Sequence, residues 1–472
     1  MLLLSRTDGI EASRYNGVVI RERVLAAALF LGVFLVYIFS PNATPFDSRW
    51  TVHTALSLLH ERNADLNEYL PLLKRDRFYG IECLLPDGRR LFPVSSVEQC
   101  AGGSLYNFYP VAVPLLVSPL VGALEWGLKI AQPWLAPLAP QMRTAVRRQL
   151  LQGDLVSSSS GVELLLASLI VALAAVVVFL VARQMTGLPL ALAVALVFSF
   201  ATPAWSTGSR ALWMHGFSML LLPLGLWAIL RQKWAAAGAV LALAFFVRPT
   251  NAVPLAFAGV WALAESRRVA LRFALGALPV ALVFVGINYA TYGTLLAPFF
   301  FAQRPGTASL GLHSRLGEAL LGNLVSPSRG LFVYSPIFLF SLYGVWRWLR
   351  HPPQRRLGLF LGAVMLGHYL LISSYEDWFG GHSYGPRYFS DLSSYFTLAL
   401  VPAWQAMRRA ARLLAMPALA VSLFMHAQGA WCWPCLAWNT QPVQIRESEW
   451  RLWDWSDPPF LRNFRGSAPA AE

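Results

Sequence analysis

Twelve apolar runs of 14 to 23 residues recur along the whole length of the chain. They fall at 24–40, 110–130, 161–183, 187–205, 214–230, 234–247, 251–265, 271–289, 330–348, 357–374, 388–406 and 412–428. An α-helix needs about 20 apolar residues to cross the hydrocarbon core of a bilayer. Repetition on this scale predicts a polytopic membrane protein. Charged residues make up 13% of the chain, about half the share usual in soluble domains. The net charge of +14 does not point to nucleic acid. Its arginines sit in short clusters between apolar runs, as in cytoplasmic loops, and no basic-aromatic nucleic-acid motif accompanies them.

The run at 24–40 has basic flanks (Arg21, Arg23) and no small-x-small cleavage site after it. It reads as a retained first transmembrane helix, with residues 1–23 in the cytoplasm. Arg267–Arg272, Arg347–Arg356 and Arg408–Arg412 are expected in the cytoplasm too, which puts 290–329, 375–387 and 429–472 outside. Residues 234–265 are too long for one straight span and are broken at Arg248-Pro249-Thr250. They form either a hairpin of two short helices, with Arg210 and His215 facing outward and the 110–130 helix dipping back, or one broken span with the opposite consequences. The hairpin is preferred. Either way the count is eleven crossings. The expected fold is all-α and polytopic, with a transmembrane domain over 24–428, a first external loop at 41–109 carrying juxtamembrane helices, and an external Trp/Pro-rich tail at 429–472 packed on the outer face. No internal repeat is visible.

Within 41–109, Val52, Ala55, Leu56 and Leu59 follow helical spacing and predict an amphipathic helix on the membrane surface. Pro86-Asp87-Gly88 between short apolar runs predicts a hairpin. Cys83, Cys100, Cys432 and Cys435 all fall outside, where two disulfides are chemically reasonable. Cys432-Trp-Pro-Cys435 also has the spacing of a redox or metal motif, without the βαβ context or a histidine pair.

Three constellations could carry chemistry. Asp47 precedes the helix expected at 48–60. It could cap that helix or act as a general base just above the bilayer. Asp65, Glu68, Asp76 and Glu82 compete with it but lie farther from the membrane run. "NLVSPSRGLFVYSP" (323–336) places Ser326, Ser328 and Arg329 at a helix start, which suits an anion or a capped helix with a snorkelling arginine. "EDWFGGHSYGPRYFSD" (376–391) combines turn-permitting glycines with Arg387, His382 and the aromatic faces of Trp378, Tyr384 and Tyr388, the kind that stack on sugars. Arg210, His215, Arg248, Asn251 and Asn288 are weaker candidates, ionisable or polar groups at membrane depth. Glu125 and Lys129 can pair along one helix. No G-x-S-x-G elbow, Walker loop, H-E-x-x-H, Rossmann fingerprint or external D-x-D pair is present, so no cofactor is indicated and a divalent metal has no motif.

In order along the chain stand an acid in the first external loop, "YNFYPVAVPLLVSPL", "GSRALWMHG", "VRPTN", "SPSRGLFVYSP" and "GGHSYGPRYF". Over residues 20–460 this resembles bacterial membrane glycosyltransferases of the GT-C superfamily. The nearest branch is the one related to protein O-mannosyltransferases and to the transferase that adds aminoarabinose to lipid A. The resemblance implies an inner-membrane enzyme, with its C-terminus in the periplasm, that moves a sugar from a polyprenyl-phosphate carrier to an acceptor glycan, lipid or protein. It implies Asp47 as the base and Arg329 and Arg387 on the carrier phosphate, with Arg210 and Arg248 as further candidates. His215, Trp378, His382, Tyr384 and Tyr388 are the candidates for holding sugar or acceptor. Many members carry an acidic pair near the start of this loop; here Asp47 is followed by Ser48 and Arg49. A lipid-linked saccharide transporter, a sugar-lipid polymerase or ligase and a purely structural membrane protein are the competing classes.

Overall fold

The computed structural model of the protein describes residues 4–142, 144–297, 299 and 313–464, with side chains from Glu22 onward. Part of the external segment expected at 290–329, and the tail beyond 464, lie outside the described residues.

Helices dominate, and most of the long ones overlap the apolar runs, although α1 begins 20 residues ahead of the first run and the run at 330–348 is divided between two helices. α1 (Leu4–Phe39) leads into the first loop, which holds α2 (Thr51–His60) and α3 (Leu70–Arg75). α4 (Ala112–Leu135), α5 (Ala145–Leu151), α6 (Ser159–Arg183), α7 (Leu188–Phe200) and α8 (Met214–Leu230) follow, then α9 (Trp234–Val247), α10 (Ala252–Glu265) and α11 (Arg267–Tyr292). The last third contains α12 (Leu316–Val325), α13 (Leu331–Tyr334), α14 (Phe338–Arg350), α15 (Arg355–Ser373), α16 (Ser393–Ala406), α17 (Arg409–Trp431) and α18 (Trp433–Ala437).

Among the described residues, six segments are long and apolar enough to cross a membrane: Glu22–Phe39, Ala112–Gln141, Ser159–Arg183, Arg267–Tyr292, Pro352–Ser373 and Arg409–Trp431. The expectation of eleven crossings goes beyond these six. α7, with 13 residues, is roughly 20 Å long against a hydrocarbon core of about 30 Å.

The segment 234–265 is a hairpin. Trp234 at the start of α9 meets Trp261 near the end of α10, ring centroids 6.1 Å apart. α11 then lies along α9 at backbone contact: a Cβ on Gly276 would sit 1.8 Å from the Ala235 carbonyl oxygen. Arg248 is left at the hairpin tip, just ahead of Pro249. α4 has 24 residues, about 36 Å of helix. Val113 and Pro114 line the cavity described below, and Gln132 Nε2 donates to the Gln152 carbonyl at 3.3 Å, shortly before α6 begins.

The first loop departs from an all-α chain. β1 (Ile81–Leu84), β2 (Arg90–Leu91) and β3 (Ser104–Asn107) form an antiparallel sheet in the order β2-β1-β3. The expected hairpin at Pro86-Asp87-Gly88 joins β1 to β2. β3 pairs on the other side of β1, with Ile81 opposite Asn107. A Cys83–Cys100 disulfide ties the sheet to the loop before β3, and Cys432 and Cys435 form the second disulfide. α2 does not turn its apolar face to lipid. Val52, Ala55 and Leu56 are buried in the main core against α4 and α6, because those helices supply a closer apolar surface.

Candidate active site

Asp47 does not cap α2. That helix starts at Thr51 with Trp50 as its N-cap residue, and no side chain bonds the cap. The backbone before Asp47 is instead pinned to remote elements. Asn42 Nδ2 donates to the Gly429 carbonyl at 3.0 Å. Thr44 N donates to the Arg210 carbonyl at 3.2 Å, and Trp213 Nε1 donates to the Thr44 carbonyl at 2.7 Å. Just past it, Ser48 Oγ donates to Glu163 Oε2. So held, Asp47 receives Arg387 Nη2 on Oδ2 in an ion pair and the Tyr79 hydroxyl on Oδ1 at 3.4 Å.

Arg387 reaches this point because the chain turns sharply at Gly385. That glycine has φ +65°, and a Cβ there would lie 2.7 Å from the Tyr334 ring. The Arg387 guanidinium lies 4.0 Å from the centroid of the Trp213 ring, a cation–π contact. Burial is the largest single influence and opposes its charge, but Asp47, Tyr388 and Tyr109 together outweigh it and hold the Arg387 pKa above the ordinary arginine value.

Behind Arg387 lies a second charged pair. Arg387 Nε donates to His215 Nε2 at 3.3 Å. His215 Nδ1 is 2.8 Å from Asp391 Oδ1. A carboxylate only accepts, so Nδ1 carries the proton and Nε2 offers its lone pair. Arg248 Nη1 lies against the ring, 2.5 Å from Nδ1 and 2.7 Å from Nε2, and Arg248 Nε is 3.0 Å from Asp391 Oδ2. The cluster is thus two carboxylates and two guanidiniums around a neutral imidazole, charge-balanced and almost wholly out of water. A buried guanidinium is costly unless its charge is paired or its donors are all met by hydrogen bonds.

Asp47, His215 and Arg387 line one cavity, together with Asn107, Tyr109 and Trp213 among others. Its volume of about 20 Å³ holds roughly one water molecule. The Asp47–Arg387 ion pair forms part of its wall.

The other candidates sit elsewhere. Arg329 is buried and spends its donors on the carbonyls of Phe379 (2.8 Å), Ser328 (2.9 Å) and Gly381 (2.9 Å) and on Asn439 Oδ1 (2.7 Å). Ser326 and Ser328 both donate to the Leu452 carbonyl. The 323–336 stretch is therefore a joint between the 376–391 loop and the tail, not an open anion site. Arg210 is likewise committed, to the carbonyls of Tyr37 (2.6 Å) and Ser40 (2.9 Å) at the end of α1, where carbonyls lack helical partners. Trp378 packs over Gly322 and against Phe379. Tyr384 donates to the Met425 carbonyl at 2.8 Å. Both are structural and lie off the cavity lining. Tyr388 stands beside the cluster, its ring 5.7 Å from Arg387 and 5.6 Å from Arg248. His382 lies near the cluster, its ring 6.1 Å from Phe46. Burial, then Arg446 and Arg329, push its pKa below the usual histidine value.

Two acids at this site escape a reading of the sequence. Asp391 ends the quoted 376–391 motif, but only the fold aims it at His215 and Arg248. Glu163 follows "SSGV" at the start of α6, and an isolated acid there gives no sign that it will bridge Ser48 and the Leu212 amide (3.2 Å). Glu125 pairs with Lys129 at 2.9 Å, and also with His60 at 3.0 Å. Among the described residues no cluster of three or more His, Cys, Asp or Glu could hold a metal ion.

Comparison of the chain with family models, with curated proteins and with solved structures finds no match.

Proposed function

We propose that the protein is an inverting glycosyltransferase that takes a sugar from a polyprenyl-phosphate carrier at the outer face of a bacterial inner membrane, on a GT-C-like scaffold of eleven crossings. The observation that carries this reading is the meeting of Asp47 and Arg387, 340 positions apart, in a cavity also lined by His215. A carboxylate and a guanidinium in one recess provide a proton acceptor and a phosphate ligand within reach of one substrate.

The reaction begins with an exchange. The donor's phosphate takes the Arg387 guanidinium from Asp47. The ion pair opens, the cavity enlarges and the Asp47 carboxylate is freed. An acceptor hydroxyl oxygen then attacks the anomeric carbon while its proton passes to Asp47. The bond from that carbon to the phosphate oxygen breaks, and the electron pair leaves with the carrier phosphate. Arg387 meets the charge that develops there, which is where a fixed cation lowers the barrier most. Attack from the face opposite the phosphate inverts the configuration. His215, held by Asp391, orients Arg387, and Arg248 balances Asp391. A base placed in this way contributes roughly 10²–10⁴ in rate. Replacing Asp47 by Asn should therefore reduce transfer of labelled sugar from a polyprenyl-phosphate donor by about that factor. Unchanged transfer would overturn the role of Asp47.

A further inference from the structure

Asn107 closes β3 and lines the same cavity as Asp47 and Arg387. It is only 4% exposed. Its Oδ1 accepts from the Tyr109 amide at 3.2 Å. That bond fixes which end of the carboxamide is oxygen, since an N–H can only be met by an acceptor. Its Nδ2 is buried and has no partner among the described residues. Buried donors are rarely left unmatched, and each one calls for an explanation. The position is also rigid. Asn107 pairs in register with Ile81, Phe108 N donates to the Gly80 carbonyl at 2.9 Å, and the Cys83–Cys100 disulfide braces the sheet behind it.

We propose that Asn107 Nδ2 donates a hydrogen bond to a hydroxyl oxygen of the donor sugar and so helps select which lipid-linked sugar is used. This rests on the glycosyltransferase reading above. The chemistry favours a sugar hydroxyl over the phosphate. An amide N–H is neutral, and the cavity already offers the phosphate a guanidinium. A hydroxyl oxygen next to the anomeric centre presents a neutral acceptor within one sugar width of Asp47. A site built to bond a particular hydroxyl discriminates strongly against analogues that lack it, because the protein donor is then stranded.

The test uses the full chain in detergent or nanodiscs and two kinds of probe. One is a short-chain polyprenyl phosphate without sugar. The other is a panel of the same carrier bearing glucose, mannose, galactose or arabinose. The quantity read is the ratio of affinities for the best glycosyl ester and the bare carrier. Asn107→Asp keeps the acceptor that Tyr109 needs, replaces the N–H donor by an acceptor oxygen and adds a negative charge. Any repulsion between its charge and the phosphate affects both probes alike and cancels in the ratio. Asn107→Ala, checked for folding by its melting temperature, serves as the uncharged partner. The proposal expects the ratio to fall by about ten- to hundredfold in both variants. An unchanged ratio in folded Asn107→Asp would show a merely water-satisfied structural amide and overturn the proposal. So would a wild-type protein that binds the carrier with no preference for any sugar. If the wild type binds neither probe, the glycosyltransferase reading fails first and takes this proposal with it.

Discussion

His215 Nδ1 donates to Asp391 Oδ1 at 2.8 Å, and this bond decides which ring nitrogen faces Arg387. Asp391 also compensates Arg248 at 3.0 Å, so it serves two partners in a region closed to water. Removing one member of a buried ion pair typically costs about 3–5 kcal/mol, whereas replacing both by apolar groups can be nearly neutral. Asp391→Asn should therefore lower the melting temperature markedly. Asp391→Leu combined with Arg248→Met should lower it by less than the sum of the two single changes. Additive losses in this cycle would mean the two side chains are not coupled.

Arg329 differs from Arg387 in how its donors are spent. Its guanidinium ties Ser328, Phe379, Gly381 and Asn439 together. Arg329→Ala strands several buried oxygens at roughly 1–3 kcal/mol each. The expected outcome is a loss of thermal stability, with the donor concentration needed for half-maximal rate unchanged in whatever folded protein remains. A stable Arg329→Ala protein with a raised donor requirement would return this residue to the phosphate site.

His53 supplies a pH signature. It is buried in α2 between the rings of Trp50 and Tyr69, 5.1 and 5.0 Å away. Burial lowers its pKa from 6.5 to about 4. The unfolded chain therefore takes up a proton near pH 6.5 that the folded chain refuses until about pH 4. Stability is full above pH 6.5 and falls as the pH drops through that window, by on the order of 3 kcal/mol in total. Melting curves of His53→Phe should lack this part of the acid sensitivity. An identical pH dependence in the variant would remove His53 as its source.

The positions of most apolar helices were legible in the sequence because hydropathy places them, but not every boundary: Ser335-Pro336 divides the run at 330–348 into two helices. The break within 234–265 could be read from Arg248-Pro249-Thr250, because proline cannot continue the helical hydrogen bonding, but the hairpin was only the preferred of two readings. Arg387 and Asp47 were legible as candidates because each stands next to turn chemistry at the edge of an apolar run. What was not legible is partnership. Arg329 and Arg210 carry the same local signals as Arg387, yet they spend their donors on carbonyls supplied by segments 50 and more than 160 residues away. Asp391 and Glu163 look like ordinary helix-end acids until the fold aims them at Arg248 and Ser48. β3 was missed because "SLYN" is too short to show an alternating pattern, and its pairing with β1 depends on a 20-residue return.

The most direct test of the central claim is the affinity of Asp47→Asn for a sugar-free polyprenyl phosphate, measured beside its transfer activity. If the Arg387 guanidinium must leave Asp47 to receive the carrier phosphate, removing the Asp47 charge frees it in advance. The variant should then bind the carrier at least as tightly as the wild type while transfer falls by about 10²–10⁴. Weakened carrier binding, or transfer at the wild-type rate, would contradict the exchange of Arg387 between Asp47 and phosphate on which the account depends.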